Sequence, residues 1–460
     1  MADHSYDLLV IGGGPAGSSA VDNLKAQGHK LALVEKDKLG GTCLNYGCDP
    51  TKTLLYIASQ MQKARQANRL GLEIPHTGFD WGAVQGRVQK VLEQLRGGSP
   101  EEADKGFEGA SLYKGPARFV APHEIEVNGQ RLRAERVIIA SGTSPAVPPI
   151  EGLAEAGFIT NVEAVSLETL PKRLAVLGGG PIGMEFAQVF RQFGVEVTVL
   201  EKAPHLLDTE DREMAGALVS LLTRAGISFK TGVELTCVRR EDSGKRLTIQ
   251  HDDGRQAELV VDEILVAIGR KPDLEGLNLV AAGVETTEKG IKVDKNLRTT
   301  APHIWAAGDI ASKYQFTHIA SAQGKLAARN AFAAAPELFD DSLIPWGVYT
   351  YPSLGHVGRT EEELREEGQS YRVVRHPFKE VVRAVTDNQT EGMVKLLAAP
   401  DGRILGGHIL ADQAGDLLAP VVLAMKAGLK VKVLAETIQP YPTLAEAVVQ
   451  AAAKLQKLLS

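Results

Sequence analysis

Cysteine is scarce in this 460-residue chain: only Cys43, Cys48 and Cys237 occur. A disulfide-stapled scaffold is excluded by that count, and the close pair Cys43/Cys48 is left as the one with chemistry to do. An excess of positive charge is also missing. Lys and Arg number 51 against 57 Asp and Glu, a net charge of −6 with no basic block, so a nucleic-acid partner has no electrostatic footprint. No stretch approaches the ~18 uninterrupted apolar residues of a membrane span. No basic leader precedes the first strand-like run, residues 6–11, so export is not expected and the cytoplasm is the expected location. What is plentiful is glycine, 47 residues, much of it in short clusters. The length is too great for one hydrophobic core, and about two to four domains are expected.

The chain carries an internal repeat. Residues 7–36 read DLLVIGGGPAGSSAVDNLKAQGHKLALVEK, and residues 173–202 read RLAVLGGGPIGMEFAQVFRQFGVEVTVLEK. They align without a gap, at an offset of 166 residues from Gly12 to Gly178. Each copy is an apolar run, a glycine-rich turn, a helix-length stretch and a second apolar run ending in Glu-Lys. In such a unit the first Gly (Gly12, Gly178) permits a tight turn, and the second (Gly14, Gly180) admits a pyrophosphate. The third (Gly17, Gly183) lets helix and strand pack closely. The helix starting at Pro15-Ala16 or Pro181-Ile182 then offers free N–H groups to the phosphates. The closing acids, Glu35 and Glu201, are placed to accept from a ribose diol. A single glycine fingerprint is weak, but the whole sequence of parts occurs twice. A carboxylate at Glu201 disfavours a 2′-phosphate, so NADH is favoured over NADPH.

Between the first copy and a long helical region lies GGTCLNYGCDPTK, residues 40–52. Pro50 suits the first turn of a helix, and a thiol at that position is stabilised as thiolate by the helix dipole. Lys52 is four residues beyond Cys48, on the same helical face. Zinc pairs use shorter spacing and a second Cys/His pair, which this chain lacks. The segment is read as a redox pair. Cys237 is read as a packing residue in a strand.

With these motifs in place, the chain resembles the pyridine nucleotide–disulfide oxidoreductase family, in its dihydrolipoamide dehydrogenase and mercuric reductase branch. Residues 140–145 resemble the segment leaving an FAD domain, 267–272 the segment leaving an NAD domain, and 306–309 the second FAD motif. The resemblance implies an α/β fold with two Rossmann-like dinucleotide-binding domains and a C-terminal α+β dimerisation domain. The implied boundaries are 1–149 (FAD), 150–272 (NAD(P)), 273–340 (FAD and central) and 341–460 (interface). It implies FAD contacts at Gly12, Gly14, Pro15, Ala16, Gly17, Glu35, Lys36, Gly41, Thr42, Lys52, Ala117, Ser141, Gly142, Gly308, Asp309 and Thr317. It implies NAD contacts at Gly178, Gly180, Pro181, Ile182, Gly183, Glu201 and Gly269. Cys48 would be the thiol nearest the flavin and Cys43 the interchange thiol, with Lys52 and Glu185 as an ion pair. The partners implied are NAD(P)H, a small electron acceptor and a second copy of the chain, whose C-terminal domain completes the active site.

One departure matters. Disulfide-reducing members carry His-Pro-Thr-x-x-Glu near the C-terminus, and this chain reads Tyr441-Pro442-Thr443-Leu444-Ala445-Glu446. Imidazole titrates near pH ~6.5 and a phenol near ~10. A Tyr at 441 is therefore a poor base at neutral pH, and Glu446 has no imidazole to orient. His318 and His356 are weaker candidates for a substitute. Tyr441 resembles the mercuric reductase branch, where two thiolates bind a soft metal ion directly. Residues 453–460, however, lack the cysteine pair that hands over the metal in that branch. The expected function is a mercuric-reductase-like NADH-dependent reductase acting on a metal ion or unusual acceptor. The alternatives are a dihydrolipoamide dehydrogenase with an unorthodox base and a flavin-binding redox sensor without turnover.

Overall fold

The computed structural model describes residues 4–75 and 77–459. The first repeat forms strand β1 (Ser5–Ile11), helix α1 (Pro15–Leu24) and strand β2 (Leu31–Glu35). β1 runs parallel to β2 on one side, with Leu8 opposite Leu31, and to strand Gln130–Ile139 on the other. The sheet has seven strands, and the late strand Ile304–Ala306 joins it beside Gln130–Ile139. Helices α1 and Thr317–Phe332 pack on one face of its parallel part, and the antiparallel strands Ala117–Ala121 and Glu124–Val127 with residues 277–291 pack on the other, so the central strands are buried on both sides. That is why both apolar runs lack alternation: Leu8, Leu9, Val10, Ala32 and Leu33 are all buried.

The second repeat builds a four-stranded parallel sheet from Arg173–Leu177, Glu196–Leu200, Ser228–Lys230 and Glu263–Val266. A three-stranded antiparallel sheet follows, Val233–Glu241 being its first strand. Cys237 is partly buried there, beside a register shift in the pairing. The third region is a five-stranded antiparallel sheet covered by helices Ala414–Lys426 and Glu446–Leu459. The expected architecture is the one observed.

Three joints fix these layers around one site. Strand Thr143–Pro145 pairs antiparallel with Arg270–Pro272, tying the exits of the two repeats together. Helix Thr317–Phe332 crosses α1 so closely that a Cβ on Gly324 would stand 2.0 Å from the Ala16 carbonyl oxygen. That contact aims the N-terminus of Thr317–Phe332 at the cysteine segment. Lys395, buried in the C-terminal sheet, pairs with Asp211, Glu213 and Glu361 at 2.8, 2.9 and 2.8 Å. Asp211 also caps helix Arg212–Arg224 of the second unit. A buried cation with three carboxylates is tolerable because each charge is paired, and removing one member would strand the others.

Candidate active site

The two glycine turns reproduce one another bond for bond. Gly12 and Gly178 have φ of +103° and +105°, and a Cβ on either would lie 2.3 or 2.4 Å from a carbonyl oxygen of the neighbouring strand exit. Helices α1 and Pro181–Gln192 start at Gly14 and Gly180, with Pro15 and Pro181 in the first turn and no side-chain cap. Their leading N–H groups, including those of Ala16 and Ile182, have no side-chain acceptor, which makes each end an anion site. Glu35 accepts from the N–H groups of Gly13 (2.6 Å) and Asp37 (2.7 Å), and Glu201 from those of Gly179 and Ala203 (both 2.7 Å). Each carboxylate is held in place and keeps lone pairs for a diol.

The residues around the first turn fit FAD. Asp309 accepts from the Thr143 hydroxyl at 3.1 Å, and Thr143 accepts from Arg270 Nε at 2.7 Å. Burial pushes the Asp309 carboxyl above its ordinary range, against the opposing pull of Arg270 and Thr143. The carboxylate therefore gains from a further donor, such as the hydroxyls of a ribityl chain. Gly142 and Gly308 beside it have φ of +71° and +78°. Ser141 donates to the Asp273 carbonyl at 3.1 Å, and Lys36 pairs with the Asp273 carboxylate at 3.2 Å. Ala117 begins the strand Ala117–Ala121, two residues past Gly115, whose N–H donates to the Glu35 carbonyl. Gly269, at φ +123°, precedes Arg270 with open space above it.

The dithiol lies where short helix α2 (Gly41–Tyr46) meets α3 (Cys48–Arg65). Gly47 turns the chain between them, and a Cβ there would come within 3.0 Å of the Thr42 carbonyl oxygen. The Thr317 hydroxyl is 3.0 Å from Cys43 Sγ and 3.3 Å from Cys48 Sγ. The pair divides its charge unequally. The hydrogen bond from Cys43 holds the Cys48 thiol below its ordinary value against the effect of burial, with help from Thr317 and Lys52. Cys43 is pushed far up by that same bond and by burial. Negative charge on the pair is thus favoured at Cys48 over Cys43.

Lys52 Nζ reaches both oxygens of Glu185, at 3.1 and 2.8 Å. Burial works to lower its pKa, but Glu185 outweighs burial and the net direction is upward, so Lys52 stays charged. Helix Pro181–Gln192 thus carries both the second glycine turn and the carboxylate that meets the cysteine helix. The structure brings together Cys43, Cys48, Lys52, Glu185 and Thr317. It does not bring Tyr441 or Glu446 to them within one chain. Tyr441 is 71% exposed, and Glu446 opens its helix and accepts the Thr443 N–H at 3.2 Å. Neither histidine candidate bonds the sulfurs: His318 bonds the Pro345 carbonyl (2.9 Å), and His356 is buried against Trp346 (3.8 Å between ring centroids).

Sequence reasoning missed the Arg270–Thr143–Asp309 relay and the double contact of Thr317. Arg270 sits inside a motif already singled out, so its position was visible and its partners were not. Among the described residues, no cluster of three or more His, Cys, Asp or Glu side chains could hold a resident metal ion, and no helix is long and apolar enough to cross a membrane.

Comparison with known proteins agrees with this geometry. Residues 6–324 match the family described as pyridine nucleotide–disulphide oxidoreductase, and residues 344–452 match its dimerisation domain. A mercuric reductase from Staphylococcus aureus is 36% identical, over 100% of this chain and 84% of its own length. A dihydrolipoyl dehydrogenase from Thermus scotoductus is 38% identical over 98% of both chains. The HOCl-induced flavoprotein disulfide reductase RclA from Escherichia coli is a structural relative. Its TM-score is 0.88 and its identity 30%, over 97% of this chain and 99% of that one. A Cu(II) complex of the same RclA matches at the same TM-score, 0.88, and 30% identity, over 99% of this chain and 100% of that one. Motif order, fold and relatives converge, and this chain belongs to the pyridine nucleotide–disulphide oxidoreductase family, as an FAD-dependent oxidoreductase that uses NAD(P)H.

Proposed function

We propose that the Cys43/Cys48 dithiol reduces a thiophilic metal ion, in the manner of a mercuric reductase, at the expense of NADH. The observation that carries this reading is the dithiol's set of partners. A hydroxyl (Thr317) and a cation (Lys52) attend it, no imidazole among the described residues does, and Tyr441 stands where the disulfide-reducing members of the family carry a histidine. Thiol–disulfide exchange needs a proton moved at each turnover, and a general base is worth about 10²–10⁴ in rate. A soft metal ion needs only two sulfur ligands.

FAD, when bound, supplies the two-electron relay between nicotinamide and sulfur. Thr317 donates its proton to whichever sulfur carries charge, Lys52 stabilises the Cys48 thiolate, and Glu185 holds Lys52. The ion is bound by two thiolates, so Cys43 gives up its proton to solvent as it joins Cys48 on the ion. For Hg(II) the balance is one NADH and one Hg(II) giving NAD⁺, one proton and Hg(0). For Cu(II), the ion named for the RclA complex, one NADH reduces two ions to Cu(I). The hydrogen-bonded Glu201 carboxylate supports NADH over NADPH, and Lys202 beside it is engaged by Glu234 at 2.8 Å. A homodimer would deliver Tyr441 and Glu446 to the dithiol of the opposite subunit.

The test is steady-state turnover of the holoenzyme with Hg(II) and Cu(II) under NADH, against NAD⁺-dependent oxidation of dihydrolipoamide. Metal reduction should exceed dihydrolipoamide oxidation by about 10² or more. The second reading, a dihydrolipoamide dehydrogenase, is favoured by the 38% identity to the Thermus enzyme over nearly all of both chains. It replaces the first if dihydrolipoamide is the faster substrate.

A further inference from the structure

Lys52 is held from three sides by three separate parts of the chain. It rises from α3, four residues past Cys48, and its ammonium meets Glu185 of helix Pro181–Gln192 at 2.8 Å. The third side is Tyr349, which follows strand Trp346–Val348 of the C-terminal sheet. Its ring centroid lies 4.7 Å from Lys52 Nζ. Its N–H donates to Glu185 Oε1 at 3.0 Å, the oxygen that also accepts from Lys52 at 3.1 Å. The backbone of Tyr349 is thus tied to the carboxylate while its ring faces the ammonium. The ring is 49% exposed, and burial of apolar surface alone does not account for its placement.

We propose that Tyr349 is a positioning residue for the reductive half of the reaction: its ring and the Glu185 carboxylate clamp the Lys52 ammonium beside the dithiol. A carboxylate alone fixes the charge along one direction, and a long lysine stem leaves it free to swing about that point. The aromatic face opposes the swing and strengthens the charge through the ring quadrupole. The clamp also ties the C-terminal region to the Lys52–Glu185 pair, so docking of that region sets the electrostatics at the sulfurs. The inference rests on the electron path from NADH to the dithiol and not on the acceptor.

The test is anaerobic reduction of the holoenzyme by NADH with no acceptor present, followed through the long-wavelength thiolate–flavin band. Tyr349→Leu should lower the rate of band formation about two- to fivefold, the range of a partly exposed cation–π contact. Tyr349→Met fills similar space without an aromatic face and should match Leu, while Tyr349→Phe should restore the rate. In a Lys52→Met background the Leu substitution should add no further loss. The proposal is overturned if Leu and Met both leave the rate intact. It is equally overturned if Phe is as slow as Leu, which would give the role to the hydroxyl, or if the loss persists without Lys52. An acceptor screen that finds no metal reduction leaves each of these outcomes readable.

Discussion

The two glycine turns share a backbone and differ in what covers them. The bond from Gly12 N–H to Val34 is 2.8 Å and its counterpart, Gly178 to Leu200, is 2.9 Å; Ala140 to Ile11 is 2.7 Å and Ala267 to Leu177 is 2.8 Å. Over the first turn the chain folds back, and a Cβ on Gly14 would find Gly41 Cα at 3.9 Å. Over the second, a Cβ on Gly180 would meet nothing within 4 Å. The segments after the closing acids diverge as well. After Glu35 the chain makes the cysteine helix, and after Glu201 it runs to Glu210 and Asp211, buried against the C-terminal sheet. On the proposed assignment of FAD to the first turn and the nicotinamide dinucleotide to the second, the covered turn would hold the group that stays and the open turn the one that comes and goes.

The largest expected effect breaks the cover. Gly41 has φ +56°, and its Cβ would stand 2.8 Å from Gly14 Cα. Gly41→Val should therefore cost about 1–3 kcal/mol in contact and a further penalty for a branched residue at positive φ. Purified protein should hold about tenfold less flavin by absorbance. Gly180→Val, with open space in front of it, should keep its flavin and lose only nucleotide affinity. Equal flavin content in the two variants would remove the distinction between a covered and an open turn.

Next comes the divergent segment. Glu210 Oε1 accepts from Trp346 Nε1 at 2.6 Å, and its other oxygen lies 3.6 Å from His356 Nδ1 with no other partner. His356 Nε2 bonds the Gly358 carbonyl and so carries the ring proton, leaving a lone pair at Nδ1. Burial raises the Glu210 pKa from 4.5 to about 7. The unfolded state then releases this proton at lower pH than the folded state. The contribution to stability is full below the unfolded value, about 4.5, and is lost as pH rises through about 7. Glu210→Gln keeps the Trp346 bond and donates to Nδ1. It should flatten the dependence of Tm on pH across that window, an effect on the order of 3 kcal/mol. An unchanged pH profile would place the proton elsewhere.

The smallest effect sharpens the likeness of the closing acids. Glu201→Gln and Glu35→Gln each leave one backbone N–H facing an amide in place of a carboxylate oxygen. A charge-assisted hydrogen bond of about 1.5–3 kcal/mol is weakened in each. The first should raise KM for NADH about tenfold with flavin content unchanged. The second should speed flavin loss on dialysis and leave KM unchanged in the protein that keeps its flavin.

The turns were legible from sequence because each is local: strand, glycines, helix and acid lie within thirty residues, and backbone geometry dictates the residue types. The cysteine segment was legible for the same reason, and the Lys52–Glu185 pair only through resemblance, because 133 residues separate its members. Thr317, 274 positions from Cys43, is brought to the sulfurs by the crossing of its helix over α1, which no local pattern encodes. Tyr349 looks like an ordinary strand-end aromatic until the C-terminal sheet docks. The substitution at Tyr441 was visible at once, yet within one chain it stands apart from the sulfurs, and only the proposed homodimer would bring it to them.

Thr317 has a further consequence. A hydroxyl has a single hydrogen to give, and the sulfurs at 3.0 and 3.3 Å compete for it. Rotation about one carbon–oxygen bond moves that hydrogen from one sulfur to the other without displacing any heavy atom. A ligand taken up at Cys43 would leave that hydrogen to Cys48 with both sulfurs still in place.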